Sequence, residues 1–160
     1  MGRRSAVHAI ELMLAAAALL AASGCATAAR PDSTLDASAQ ALSSRVASDV
    51  VAGDVEALYP LLAPETQKLM SKSQLAGLFT EFNGYSGKPL GAQLRRRAAG
   101  QTAGGTWGRR PMWKFWYALD TSKAAPGTYF LTIQIVQEGG ILRVAQLADV
   151  VITGDDPDLK

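Results

Sequence analysis

The chain has 160 residues, of which 16 are Lys or Arg and 14 are Asp or Glu, and 48% of its side chains are apolar. That is one domain's worth of sequence, with enough Leu, Val, Phe and Trp to bury a core without disulfides or a metal. A single cysteine excludes an intramolecular disulfide, and a net charge of +2 marks no overall excess of either sign.

Arg3 and Arg4 form a positive N-terminal region, and an unbroken apolar run follows from Leu12 to Ala22. Its 11 residues suit a signal-peptide core and fall short of the ~20 needed to span a bilayer. Ala22-Ser23-Gly24-Cys25 closes the run. These residues resemble the bacterial lipoprotein signal, whose lipobox ends in cysteine, with Ala22 where Leu is usual. The resemblance covers residues 1–25 and implies cleavage before Cys25, acylation of that residue and a membrane anchor. The chemistry agrees: a lone thiol has no intramolecular partner in an oxidising compartment, and acyl chains cap it. Each buried methylene contributes ~0.8 kcal/mol, so several chains hold firmly. An ordinary signal peptide with an incidental Cys25 is the competing reading. No Phe-Leu-Lys follows Arg3-Arg4, so a twin-arginine signal is not indicated. Ala26 after the cysteine, by resemblance to the sorting pattern of enteric bacteria, implies the outer membrane. The expected location is the cell envelope, lipid-anchored on the periplasmic side, which argues against a nucleic-acid partner.

Removing residues 1–24 leaves 14 Lys and Arg against 13 Asp and Glu. The charges are segregated. Asp32 to Glu81 has seven acids against Arg45, Lys68 and Lys72, whereas Asn83 to Leu119 has seven bases and no acid. Residues 25–32 form a tether of mostly small and polar residues. Ser33 opens a helix, with Asp36 suited to its positive end. Leu35, Ala39, Leu42, Val46 and Val50 make one apolar stripe, and Gly53 ends the helix. Asp54 caps a short helix with Val55, Leu58, Tyr59 and Leu62 inward. Pro64 restarts a helix at its first position. Ser71 and Gln74 make a capping box for a third main helix, whose stripe is Leu75, Leu78, Phe79 and Phe82 and whose stop is Asn83-Gly84.

From Gly87 the period is that of a strand: Leu90, Ala92 and Leu94 alternate with Gly91, Gln93 and Arg95. Ala98 to Gly108 reads as a Gly-rich loop. Met112 to Leu119 is a strand with Trp113, Phe115, Tyr117 and Leu119 on one face and Lys114, Trp116 and Ala118 on the other. Ala124 to Gly127 turns around Pro126. Tyr129, Leu131, Ile133 and Ile135 begin a hairpin that turns at Glu138-Gly139 or Gly139-Gly140. Leu142 and Val144, then Gln146, Ala148, Val150 and Ile152, are expected on the same apolar face. Residues 155–160 are an acidic tail.

Helices first and antiparallel strands afterwards make residues 33–154 a single α+β domain, with the helices packed on one side of a curved sheet. On Ala52-Gly53-Asp54-Val55-Glu56-Ala57-Leu58-Tyr59, Leu61-Leu62-Ala63-Pro64-Glu65, Ser71-Lys72-Ser73-Gln74-Leu75 and Pro89-Leu90-Gly91 the chain resembles the nuclear-transport-factor-2-like superfamily. More narrowly it is similar to lipoproteins of unknown function with that cone-shaped fold. The resemblance covers roughly Thr34 to Thr153. A cystatin-like fold, with one long helix rather than three, is the second choice. In the superfamily's enzymes the cone holds an acid–base pair, usually Asp with His, Tyr or a second acid, and many members form homodimers through the sheet's exposed face.

His8 leaves with the signal, so the expected mature chain has no histidine, the commonest general base and a common metal ligand. No nucleophile, metal or cofactor motif is present. Asp120 at a strand end and Glu81 off the helix stripe read as solvated carboxylates rather than bases. Candidate pocket residues are Tyr59, Phe82, Trp113, Phe115 and Tyr117, with a plain core as the competing reading. A candidate patch for an anion or a protein partner is Arg95, Arg96, Arg97, Arg109 and Arg110 with Trp116, provided a hairpin gathers the arginines at one end. The leading expectation is a lipid-anchored protein that binds an envelope protein or a small apolar ligand without catalysis. The alternatives are an isomerase or hydrolase with a carboxylate buried in the cone, and an envelope module holding anionic lipid or lipopolysaccharide through its arginines.

Overall fold

The structure, a computed structural model, describes residues 33–102, 107–125 and 128–151. The signal segment, Cys25 and the tether lie outside the described residues, as do 103–106 of the expected loop, Pro126-Gly127, Ile152 and the acidic tail.

Helix α1, Ser33–Ala52, forms where its apolar period places it. Ala39, Val46 and Val50 are buried, and Leu35 and Leu42 pack at the margin of the core. The next helix, α2 (Val55–Leu58), is capped by Asp54, whose Oδ1 accepts from the Ala57 N–H at 2.9 Å. A single 3₁₀ turn, Tyr59–Leu61, leads to α3, Pro64–Leu69, which begins on its proline. Helix α4, Lys72–Ser86, opens with the full capping box: Gln74 N–H donates to Ser71 Oγ, and Ser71 N–H to Gln74 Oε1 at 2.8 Å.

The end of α4 differs from expectation. Asn83-Gly84 does not stop it, and the helix runs one more turn to Ser86. The extra turn carries Tyr85 onto Phe82 and onto Tyr129, at ring separations of 5.4 and 6.0 Å, while Phe82 and Tyr129 meet at 5.5 Å. Three mutually edge-on or tilted rings offset the modest helix penalty of Gly84. Termination falls instead on Gly87, at φ 81° and ψ 174°.

Four antiparallel strands follow in the order β1-β2-β3-β4: Pro89–Gln101, Pro111–Thr121, Tyr129–Glu138 and Ile141–Val151. The fold is therefore α+β, with α1 in contact with all four strands. Trp113, Phe115, Tyr117 and Leu119 are buried with Leu131, Ile133 and Ile135 in one cluster beneath the helices. The opposite face is not simply solvated, since Ala118, Phe130, Thr132 and Val136 are buried as well.

Three strand expectations change. Ala98 to Gln101 is strand, not loop, because pairing with Lys114 to Pro111 satisfies its backbone regardless of how small its side chains are. Leu90 and Leu94 are exposed: β1 is an edge strand whose register shifts at Leu90 and again at Arg95. In β4 a bulge at Ala145 resets the alternation. Val144 lies opposite Ile135, but Leu147, not Gln146 or Ala148, lies opposite Ile133. Leu142, Val144 and Leu147 thus share the core face, while Gln146 is exposed. The register pairs Val150 with Phe130. The bulge has a partner, since the Ala145 carbonyl accepts from Thr66 Oγ1 at 2.8 Å, beside Ala63 N–H donating to the Val144 carbonyl at 2.8 Å. The start of α3 therefore covers the outer edge of β4, and the β3–β4 turn is Gly139-Gly140, both at positive φ.

Candidate functional site

The aromatic strand is tied to α1 by its polar ends. Trp113 Nε1 donates to Asp36 Oδ1 at 2.6 Å. The Tyr117 hydroxyl meets Ser43 Oγ at 2.8 Å, and Ser43 in turn donates to the Gln40 carbonyl. Arg97 Nη1 donates to Gln40 Oε1 at 2.8 Å. Residues 36, 40 and 43 recur at spacings of four and three, so they form a polar row beside the apolar stripe. This row went unread in the sequence, where Asp36 was assigned only to the helix end. Its signal is three polar residues at helical spacing facing a strand rich in Trp and Tyr, whose N–H and O–H need partners when buried. Trp113, Phe115 and Tyr117 accordingly pack in the core. Tyr59, half-buried, points its hydroxyl at the Met70 carbonyl, 3.2 Å away.

The five arginines do not gather. The bulge at Arg95 sends the next two residues to opposite faces. Arg96 pairs with Trp116 and stacks over its ring at 5.2 Å, with Lys114 at 4.9 Å from the same ring, whereas Arg97 turns under the sheet to Gln40. Arg110, at the far end of the hairpin, donates to Glu138 at 3.0 Å, and Arg109 is exposed.

Among the candidate pocket residues, Phe82 lines an open cleft. This cleft, of about 280 Å³, lies between the end of α1, the outer half of α4, and the α4–β1 and β2–β3 connections. Its apolar wall is Val50, Val51, Phe79 and Phe82. Its rim is polar, made of Asn83, Ser122, Lys88 and Lys123. A second open space of about 90 Å³ shares Val50, Phe79 and Phe82 as walls and is lined further by Leu75, Leu78, Leu119 and Leu131. The two spaces share these walls, and both are mainly apolar. Gly87 lets the rim segments of the cleft approach closely: a Cβ there would stand 2.4 Å from Ser122 Oγ and 2.9 Å from the Lys123 backbone nitrogen. Lys123 Nζ donates to the Gly84 carbonyl at 3.0 Å, and the Lys88 backbone N–H to Ser122 Oγ at 3.1 Å, which ties the two rim segments together. The sequence hinted at this through Val51, an extra apolar residue beside the α1 stripe, and through Lys88 and Lys123 next to predicted turns.

Neither cavity is lined by an Asp or Glu. Glu81 is exposed and Asp120 half-buried at the strand end. The buried-carboxylate alternative thus lacks a residue in either space. The Asp49 carboxyl is raised above its usual value: burial raises it, Arg45 at 3.9 Å lowers it, and Asp54 adds a smaller rise. Among the described residues no group of three or more His, Cys, Asp or Glu is placed to hold a metal, and no helix is long and apolar enough to cross a membrane. Comparison of the chain with known protein families, with curated proteins and with solved structures finds no match.

Proposed function

We propose that the chain is an envelope lipoprotein, anchored through acylated Cys25, whose nuclear-transport-factor-2-like domain takes a small apolar ligand into the cleft between α1, α4 and the sheet. The lipobox-like Ala22-Ser23-Gly24-Cys25 and the lone cysteine support the anchor. The observation that carries the binding role is the cleft itself, with an apolar wall, a polar rim and a second, mainly apolar space sharing its Phe79 and Phe82 walls. At about 280 Å³ it lies at the small end of ligand sites, which run ~300–1,000 Å³. Binding without catalysis fits a lining that offers no carboxylate, histidine or cysteine.

The test is a titration of the full chain with N-phenyl-1-naphthylamine, a neutral probe that fluoresces in apolar surroundings. The expected result is saturable enhancement at one probe per chain. Val51→Trp and Asn83→Trp, which each place an indole in the cleft from a different helix, should abolish it while the circular dichroism stays unchanged. Equal binding by both folded variants would refute the reading.

A further inference from the structure

The cleft's rim carries charge of one sign. Lys88 and Lys123 border it, and no acid is among its lining residues. Lys88 is exposed and sits on the segment that Gly87 holds against Ser122 and Lys123. Lys123 is anchored by its bond to the Gly84 carbonyl at 3.0 Å, and an ammonium group has three donors, so it retains capacity for an anion. Ser122 joins the two lysines' segments: it precedes Lys123, its N–H donates to the Lys88 carbonyl at 3.0 Å, and its hydroxyl accepts from the Lys88 N–H at 3.1 Å. Beside this cationic rim the wall is Val51, Phe79 and Phe82, and on the other side of Phe79 and Phe82 lies a second space lined almost wholly by apolar residues. A neutral apolar molecule would use the wall and leave the rim solvated. A double-chain lipid would need more room than these spaces give. A single-chain amphiphile with an anionic head uses both parts at once.

We infer that the cleft is a site for a single-chain amphiphile, with its acyl chain against Phe79 and Phe82 and its carboxylate or phosphate head at Lys88 and Lys123. The inference rests on the apolar-cleft reading and goes beyond it by fixing the class of ligand. Ion pairs at such an exposed rim are worth little singly, and salt screens them. Most of the affinity therefore comes from the chain, and the lysines set the preference for charge.

The experiment is isothermal titration of the full chain with dodecanoate, dodecyl phosphate and dodecanol at pH 7.5, each below its aggregation concentration. The three share one chain length and differ in the head. The expected result is that an anionic form binds roughly three- to tenfold more tightly than dodecanol. Lys88→Gln with Lys123→Gln should erase that preference, as should 0.5 M salt, and leave dodecanol binding intact, which also shows that the variant is folded. Lys88→Gln alone, which spares the Lys123–Gly84 bond, should give a partial loss. The stronger of the two anions names the source, a free fatty acid or a phosphate-headed lipid. Binding of all three with equal affinity, or a preference that survives the double substitution, overturns the inference and leaves the apolar cleft standing. No binding by any of the three overturns both.

Discussion

Gly87 stops α4, starts the approach to β1 and forms part of the cleft, so Gly87→Ala is the sharpest test of how the site is built. Two costs add. The backbone there, at φ 81° and ψ 174°, lies in a region that is almost exclusively glycine's, and an L side chain costs ~1–3 kcal/mol. The new methyl would also meet Ser122 Oγ at 2.4 Å, Lys123 Cγ at 2.8 Å and Lys123 N at 2.9 Å. The two side-chain atoms can turn away. The nitrogen cannot, because its neighbour Ser122 donates its N–H to the Lys88 carbonyl at 3.0 Å, and forcing it apart adds ~1–3 kcal/mol. The total of ~2–5 kcal/mol is a large part of the ~5–15 kcal/mol that holds a domain folded. Gly84→Ala makes the same chemical change three residues earlier, inside α4, where a Cβ meets nothing within 4 Å. It should stabilise by ~0.5–1 kcal/mol. Urea unfolding of both variants, followed by circular dichroism, should move the two midpoints in opposite directions. A shift in the same direction, or a Gly87→Ala midpoint equal to that of the unaltered protein, would refute the argument.

Cys25→Ser should abolish incorporation of a palmitate analogue in growing cells and move the protein from the membrane to the soluble fraction; retention of both label and membrane association would exclude acylation at this site. Asp49→Asn should raise the melting temperature at pH 7. The folded state holds the Asp49 proton more tightly than the unfolded chain, whose value is 3.8, so the unaltered protein loses stability as pH rises above that value, and the variant's advantage should vanish below it. Asp36→Ala leaves the Trp113 N–H without its acceptor in a buried setting and should cost ~1–3 kcal/mol by urea unfolding. Ser43→Ala should cost less, ~1 kcal/mol, because Ser44 Oγ lies 3.3 Å from the same Tyr117 hydroxyl.

What was legible in the sequence was local chemistry. The Asp54 cap, the Ser71–Gln74 box and Pro64 at its helix start each depend on a few adjacent residues, and each stands where those residues put it; the hairpin turn, legible as Glu138-Gly139 or Gly139-Gly140, falls on the second pair. Register was not legible. Alternation in β4 reads straight through Ala145, because nothing in an apolar–polar pattern marks the one residue that will bulge; the Thr66 hydroxyl that donates to the bulge carbonyl comes from a helix 79 residues away in the chain. The arginines illustrate the same limit. Three in a row look like one patch, yet the shift at Arg95 places Arg96 on Trp116 and Arg97 under the sheet. The aromatic stripe Trp113, Phe115 and Tyr117 was found correctly as one buried face, but the polar row on α1 that claims its N–H and O–H groups decides that it is core. The cleft is assembled from the ends of four separate elements; Val50 and Phe79 read only as helix stripe, and Phe82 alone among its walls reads from the sequence as a pocket residue.

The most direct test of the account is a set of intermolecular nuclear Overhauser effects on the protein with dodecanoate bound. The account predicts contacts from the ligand's methylenes to the rings of Phe79 and Phe82 and to the Val51 methyls, with the carbons next to the carboxylate near the Lys123 side chain. Contacts confined to Trp116 and the outer face of the sheet, or none at all at saturating ligand, would contradict it.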